Sequence, residues 1–172
     1  MSDKQLELLA AVYADEDRAR TICDMLEQMH RATTISLDDA VTVTKGSDGK
    51  LQIHETREVT TSKGAKRGAI AAGLFGLVFP PSLIVSAVAG GVLGGLWGKL
   101  RDTGIKTKAI KDLGDRLEPG KAAVVALVDQ ASVHATETAL EGYDGELIRQ
   151  SFSARETADV QAAASSAGPP SA

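Results

Sequence analysis

"LLAAVYADEDRARTICDML", residues 8–26, is the stretch on which the fold turns. Its first half belongs to the apolar run Gln5–Ala14, long enough for a central strand and too short for most helices. Asp15 then offers a side-chain oxygen suited to cap a helix, and Ala19, Ile22, Leu26 and Met29 recur behind it at helical spacing. Acids crowd the start of that helix, and His30 and Arg31 close it, in keeping with the helix dipole. The same passage from apolar strand through an aspartate into a helix returns in "VVALVDQASVHATETALEGY", residues 124–143, where Ser132 is the expected cap.

Each unit leads into further strand. "AVTVTK" (40–45) and "LQIHETRE" (51–58) alternate in polarity and are joined by "GSDG", whose Asp48-Gly49 pair marks a hairpin. "GELIRQSFS" (145–153) reads as the strand after the second unit. Ahead of that unit, "IKTKAIKDLGDRLEPG" (105–120) places Ile110, Leu113 and Leu117 on one side of a helix that Pro119-Gly120 ends. Two strand–helix–strand units predict an α+β fold, a ferredoxin-like sandwich with its helices packed on one sheet face. Its halves would be residues 1–59 and 105–153, separated by an insertion at 60–104. The remainder, 154–172, is rich in small residues, contains proline and is expected to be a disordered tail.

The insertion holds "KRGAIAAGLFGLVFPPSLIVSAVAGGVLGGLWGKLR", residues 66–101. No charged residue falls between Ala69 and Gly98, yet Pro80 and Pro81 interrupt the run and disfavour one straight helix. Ala69–Phe79 and Ser82–Gly98 would form helical arms of roughly 16 and 25 Å, each shorter than a hydrocarbon core of about 30 Å. A hairpin turning at Pro80 and Pro81 is therefore expected. Small residues recur four apart, at Gly64, Gly68, Ala72 and Gly76, at Ala87, Gly91 and Gly95, and at Gly90, Gly94 and Gly98. Such stripes share a helix face and let two backbones approach closely, the pattern of a glycine zipper. Lys63, Lys66 and Arg67 precede the hairpin, and Lys99 and Arg101 follow it. Residues 61–101 thus carry +5, leaving −9 for the rest of a chain whose total is −4. Folded back, the hairpin would bring both basic ends to an anionic lipid surface, with Trp97 at the interface.

Little else in the sequence suggests chemistry. An acidic balance and only six aromatic residues argue against nucleic acid as a partner. The segment "GAKRGAIAAG" lacks the strand entry and lysine arrangement of a phosphate loop. His30, His54 and His134 are scattered without metal-ligand spacing, and the single Cys23 reads as a half-buried structural residue suited to a reducing compartment. Asp15–Asp17 and Asp38-Asp39 read as cap and turn residues. Glu7 breaks the apolar run and Asp3 offsets Lys4, so the N-terminus reads as a strand and not a secretory signal. No catalytic residue, cofactor site or metal site is expected.

The opening strand into "ADEDRA", the "DDAVTV…DGK" hairpin, the glycine-rich insertion and above all "GIKTKAIKDLGDRLEPGKAAVVALV" (104–128) resemble a bacterial family, domain of unknown function 1269. The resemblance covers roughly residues 5–153. It implies a ferredoxin-like body with a glycine-rich helical hairpin, in proteins often labelled membrane proteins, and supplies no enzymatic activity. The expected function is a non-enzymatic, homo-oligomeric protein whose hairpins pack together in or against the membrane, at the inner face of the cell membrane. The alternatives are a soluble homo-oligomeric assembly with buried hairpins, or a small-ligand-binding regulatory module.

Overall fold

The computed structural model describes residues 5–55, 84–86 and 108–166. In chain order its elements are β1 (Leu6–Tyr13), α1 (Glu16–Arg31), β2 (Leu37–Lys45), β3 (Leu51–Glu55) and β4 (Ile84–Ser86). They continue with α2 (Lys108–Arg116), β5 (Ala122–Asp129), a short 3-10 turn at Gln130–Ser132, α3 (Val133–Glu141), β6 (Glu146–Ser151) and α4 (Ala154–Ser166).

The strands form one sheet in the order β4-β3-β2-β5-β1-β6. Neighbours pair antiparallel except β3 and β4, which run parallel. β1–α1–β2 steps over β5, and β5–α3–β6 steps over β1, so the two expected units interlock at the centre of the sheet. This α+β arrangement of antiparallel strands and helices fits the ferredoxin-like expectation.

Interlocking places β1 and β5 inside the sheet, and every residue of β1 is buried. That is why the stretch reads as a continuous apolar run where an edge strand would alternate. Alternate side chains still divide between two cores. Leu6, Leu8, Ala10 and Val12 enter one, while Leu9, Ala11 and Tyr13 enter the other. Each fully buried leucine contributes about 1.5–3 kcal/mol through removal from water.

The second core holds Ala19, Ile22, Cys23 and Leu26 of α1 with Val133 and Leu140 of α3. The first holds Ala109, Ile110 and Leu113 of α2 with Leu117 just beyond it. Helices therefore cover both sheet faces, not one as expected. The amphipathic stripe of α2 has the predicted residues, but spacing along a chain does not say which face of a sheet receives it.

Several local expectations hold. Asp15 takes extended backbone and its Oδ1 accepts the Arg18 N–H at 2.8 Å, capping α1. The β2–β3 turn closes through Gly46 N–H to Lys50 O at 2.9 Å, with Gly49 at φ 78 where a side chain would be strained. Gly120, at φ 86, separates α2 from β5.

Others are corrected. Ser132 stands at the N-cap of α3 but makes no cap bond; its Oγ instead accepts the Ser36 N–H at 2.7 Å, fastening the segment before β2. Asp38 and Asp39 lie within β2 at a register shift, and Asp39 is buried, so they are strand and not turn residues. Ala154–Ser166, expected in a disordered tail, is helical as α4. A reciprocal capping box explains its start: Ser153 Oγ accepts the Glu156 N–H at 3.2 Å and Glu156 Oε2 accepts the Ser153 N–H at 2.8 Å. Thr157 Oγ1 also accepts the Leu6 N–H at 3.1 Å, tying α4 to the first residue of β1.

The expected second arm of the hairpin, Ser82–Gly98, is also corrected in part. Ile84–Ser86 is strand, pairing Leu51↔Ile84, Gln52↔Val85 and Ile53↔Ser86. β-Branched Ile84 and Val85 have high strand propensity. The remainder of the insertion lies outside the described residues.

Candidate functional site

The residues singled out for helix packing, Gly64, Gly68, Ala72, Gly76, Ala87, Gly90, Gly91, Gly94, Gly95 and Gly98, lie outside the described residues. So do Pro80 and Pro81, the basic flank Lys63, Lys66, Arg67, Lys99 and Arg101, and Trp97. What is described is where their segment meets the body. β3 is described to Glu55, and Ile84–Ser86 of the insertion lies beside it as β4. The chain is next described at α2, whose Ala109 N–H is accepted by Gln150 Oε1 of β6 at 3.0 Å. β4 and β6 are the opposite edges of the sheet. Of the insertion, the described residues Ile84–Ser86 are held at the β3 edge of the sheet. Among the described residues no helix is long and apolar enough to cross a membrane.

A polar cleft, missed by sequence reasoning, lies at the end of the sheet where the β2–β3 turn, the start of α1 and the α2–β5 connection converge. Its volume is about 210 Å³ and it is lined by Glu16, Thr44, Lys45, Gly46, Gln52, Gly120 and Lys121. The residues come from four separate segments, so no spacing in the chain could have announced it. Lys45 Nζ donates to Gly114 O at 3.3 Å, and Lys121 Nζ pairs with Glu118 at 2.8 Å. That ammonium holds the Glu118 carboxyl below the ordinary carboxylate value. Glu16 pairs with Arg20 one helical turn on.

Beside the cleft, His54 Nε2 lies 3.3 Å from Thr44 Oγ1 and 3.9 Å from Glu16 Oε1. Hydroxyl and carboxylate address the same ring nitrogen. A nucleophile relay requires them on opposite nitrogens, so this trio does not form one. His30 is at the end of α1, where its Nδ1 accepts the Leu37 N–H at 3.1 Å, and His134 opens α3. The three histidines remain apart.

Two buried groups serve the fold. Cys23 is fully buried, and loss of water pushes its thiol up to about 12, which suppresses thiolate and with it nucleophilic reactivity. Glu7, the residue that broke the apolar run, is buried on β1, where its Oε2 accepts from Ser151 Oγ at 2.7 Å and Arg149 Nε at 3.2 Å. Arg149 reaches on to Glu137 of α3 at 3.2 Å, so one carboxylate in the inner strand fixes both edge strand and helix. Hydrogen bonding to Glu7 raises the Arg149 guanidinium above its ordinary value.

The architecture is thus that of an α+β body whose sheet separates two cores, with Ile84–Ser86 of the insertion added at one sheet edge. The model of the family described as Protein of unknown function (DUF1269) matches residues 65–165, more than half of the chain, and the protein belongs to that family. The match takes in most of the insertion, the second strand–helix–strand unit and nearly all of α4. It begins later than the resemblance over 5–153 and extends beyond it at the other end. No curated protein and no solved structure matches the chain.

Proposed function

We propose that the protein is a non-enzymatic, self-associating protein whose small-residue insertion mediates homo-oligomerisation against a membrane surface at the inner face of the cell membrane. The observation that carries this reading is the pinning of Ile84–Ser86 to β3. It divides the charge-free run into pieces on either side of β4, each shorter than the roughly 20 residues a spanning helix needs. A strand edge is not tolerated in lipid hydrocarbon, so the run lies against a bilayer and not through it. Its small-residue stripes supply close-packing faces for other copies, and its basic flanks supply attraction to anionic headgroups.

The same pinning favours a second reading, a soluble homo-oligomer with the insertions buried between subunits. Size analysis with and without detergent, joined to flotation with anionic vesicles, separates the two. Membrane-surface assembly predicts vesicle binding that a high-salt wash reverses, whereas the soluble assembly predicts oligomers that ignore vesicles. Gly94→Ile should lower the oligomeric state in both, because a branched side chain blocks close backbone approach. A wild-type protein that stays monomeric at every concentration, with and without vesicles, would defeat both readings.

A further inference from the structure

We propose that the face of β2 and β3 on the side of α2 is a docking surface, and that its occupant is residues 69–83 of this chain's own insertion. Val41 and Val43 of β2 and Leu51 and Ile53 of β3 share that face, in the same core as α2. The two valines are 0% exposed, and Leu51 and Ile53 are 2% exposed. One copy of the chain buries them without a partner, so the cover comes from the chain itself.

α2 cannot be that cover. It is bonded to the edge strand β6 at both ends, through Ala109 N–H to Gln150 Oε1 at 3.0 Å and through Arg116 to Glu146. β3 stands four strands from β6, roughly 19 Å at ordinary strand spacing. A helix with its side chains is about 10–12 Å across and covers only the nearer half of such a sheet. Across the gap a long side chain makes the contact, Lys45 Nζ of β2 to Gly114 O of α2 at 3.3 Å. Among the described residues no other helix contributes to this core, and α4 contributes to neither.

Topology selects the occupant. The parallel crossovers β1–α1–β2 and β5–α3–β6 both place their helix on the other face. β5 runs opposite to β1, but its step along the sheet is also reversed, so the two crossovers have one hand. β3 and β4 run parallel to β5, yet the step between them has the direction of β1 to β2. A β3–β4 connection of the same hand, as parallel crossovers almost always have, therefore passes over the face of α2. That connection is residues 56–83, and its final part is the charge-free stretch 69–83. It ends directly at Ile84, which pairs with Leu51.

The stretch has the composition the surface requires. In the helical arm predicted over Ala69–Phe79, Ile70, Leu74 and Leu77 fall on one side, and Ala72 and Gly76 on the other. The bulky side matches an apolar sheet face of valine, leucine and isoleucine. The small side is left for other copies, so docking goes beyond the proposed self-association and does not compete with it.

The test uses the full chain with leucine replaced biosynthetically by photo-leucine, an analogue of nearly the same shape. Light and heavy-isotope copies are unfolded together, refolded and irradiated without vesicles, and cross-links are located by tandem mass spectrometry. Leu51 is expected to join residues 69–83, with both halves of each linked peptide carrying the same isotope label. Mixed labels would show that a second copy covers the face, and would overturn the proposal. So would the absence of any Leu51 link to 69–83 in a sample where Leu113 is joined to the sheet. Leu74→Asp, verified as folded by circular dichroism, should lose the protection of Leu51 and Ile53 from hydroxyl-radical oxidation while Ile22 and Leu26 stay protected. Retained protection in that variant also overturns docking, and the wild-type cross-links decide the matter if it fails to fold. Neither readout needs self-association or lipid, so docking can fail while the proposed function stands, and the reverse.

Discussion

Gly145 shows how little tolerance the body has where strand, helix and ring meet. A Cβ added there would lie 2.8 Å from Tyr13 Cε1 and 2.9 Å from the Ala11 Cβ. Neither can move freely, because Ala11 belongs to inner strand β1 and the Tyr13 hydroxyl donates to Leu140 O at 2.9 Å. Gly145→Ala is therefore expected to destabilise the protein by about 1–3 kcal/mol, the range of an overpacked core, in urea unfolding. Gly142→Ala serves as a comparison, since its nearest neighbour, Thr138 O, would be at 3.3 Å, and its cost should be smaller. An unchanged midpoint in Gly145→Ala would show that the ring has room to yield. In the sequence Gly145 is one glycine among 17 and carries no mark of this role. Glu7 was visible only as an interruption of an apolar run, and its partners Arg149 and Ser151 lie at the far end of the chain.

Among the elements, α4 and β4 depart furthest from what the chain suggested, and for different reasons. α4 had a legible signal in Ser153-x-x-Glu156, a capping box ahead of an alanine-rich stretch of high helix propensity. The small residues and prolines that follow obscured it. Ser153→Ala should cost about 1 kcal/mol, the usual loss of an N-cap, and should increase hydrogen exchange in α4 before the rest of the body. Unchanged exchange there would mean that Thr157 and its bond to Leu6 hold the helix without the box. β4 had no comparable signal. Three residues cannot show a period, and their pairing depends on the free edge of β3, a partner supplied from the other side of two prolines. Chain length permits the parallel direction, since residues 56–83 exceed the roughly dozen that a crossover connection needs.

At the scale of the whole molecule, the two cores give stability a defined dependence on pH. Cys23 and Tyr13 are both buried in the helical core of α1 and α3, and desolvation raises the pKa of both. A raised value means that the folded protein keeps its proton while the unfolded chain gives it up. For Cys23 the resulting stability is complete below about 9, and is lost as the pH rises from there to about 12. The Tyr13 phenol adds a loss of the same sign above its ordinary value of 10.0. Urea midpoints should therefore fall steadily above pH 9, and Cys23→Ala should flatten the first part of that fall while lowering stability at neutral pH. A fall of the same slope in Cys23→Ala would assign it to other groups.

The chain by itself determined the fold class, because periodicity, caps and turn residues are local and each unit contains its own strand, stop and helix. It determined the α1 cap, the β2–β3 hairpin and the apolar stripe of α2 for the same reason. Only the tertiary structure decided that the two units interlock, that α2 takes the opposite face from α1 and α3, and that Ile84–Ser86 joins the sheet. It alone gathered Glu16, Thr44, Lys45, Gln52 and Lys121 around one cleft. The physical reason is common to all of these. A local pattern fixes what an element is and which side of it is apolar, whereas the surface it meets belongs to residues far away in the chain.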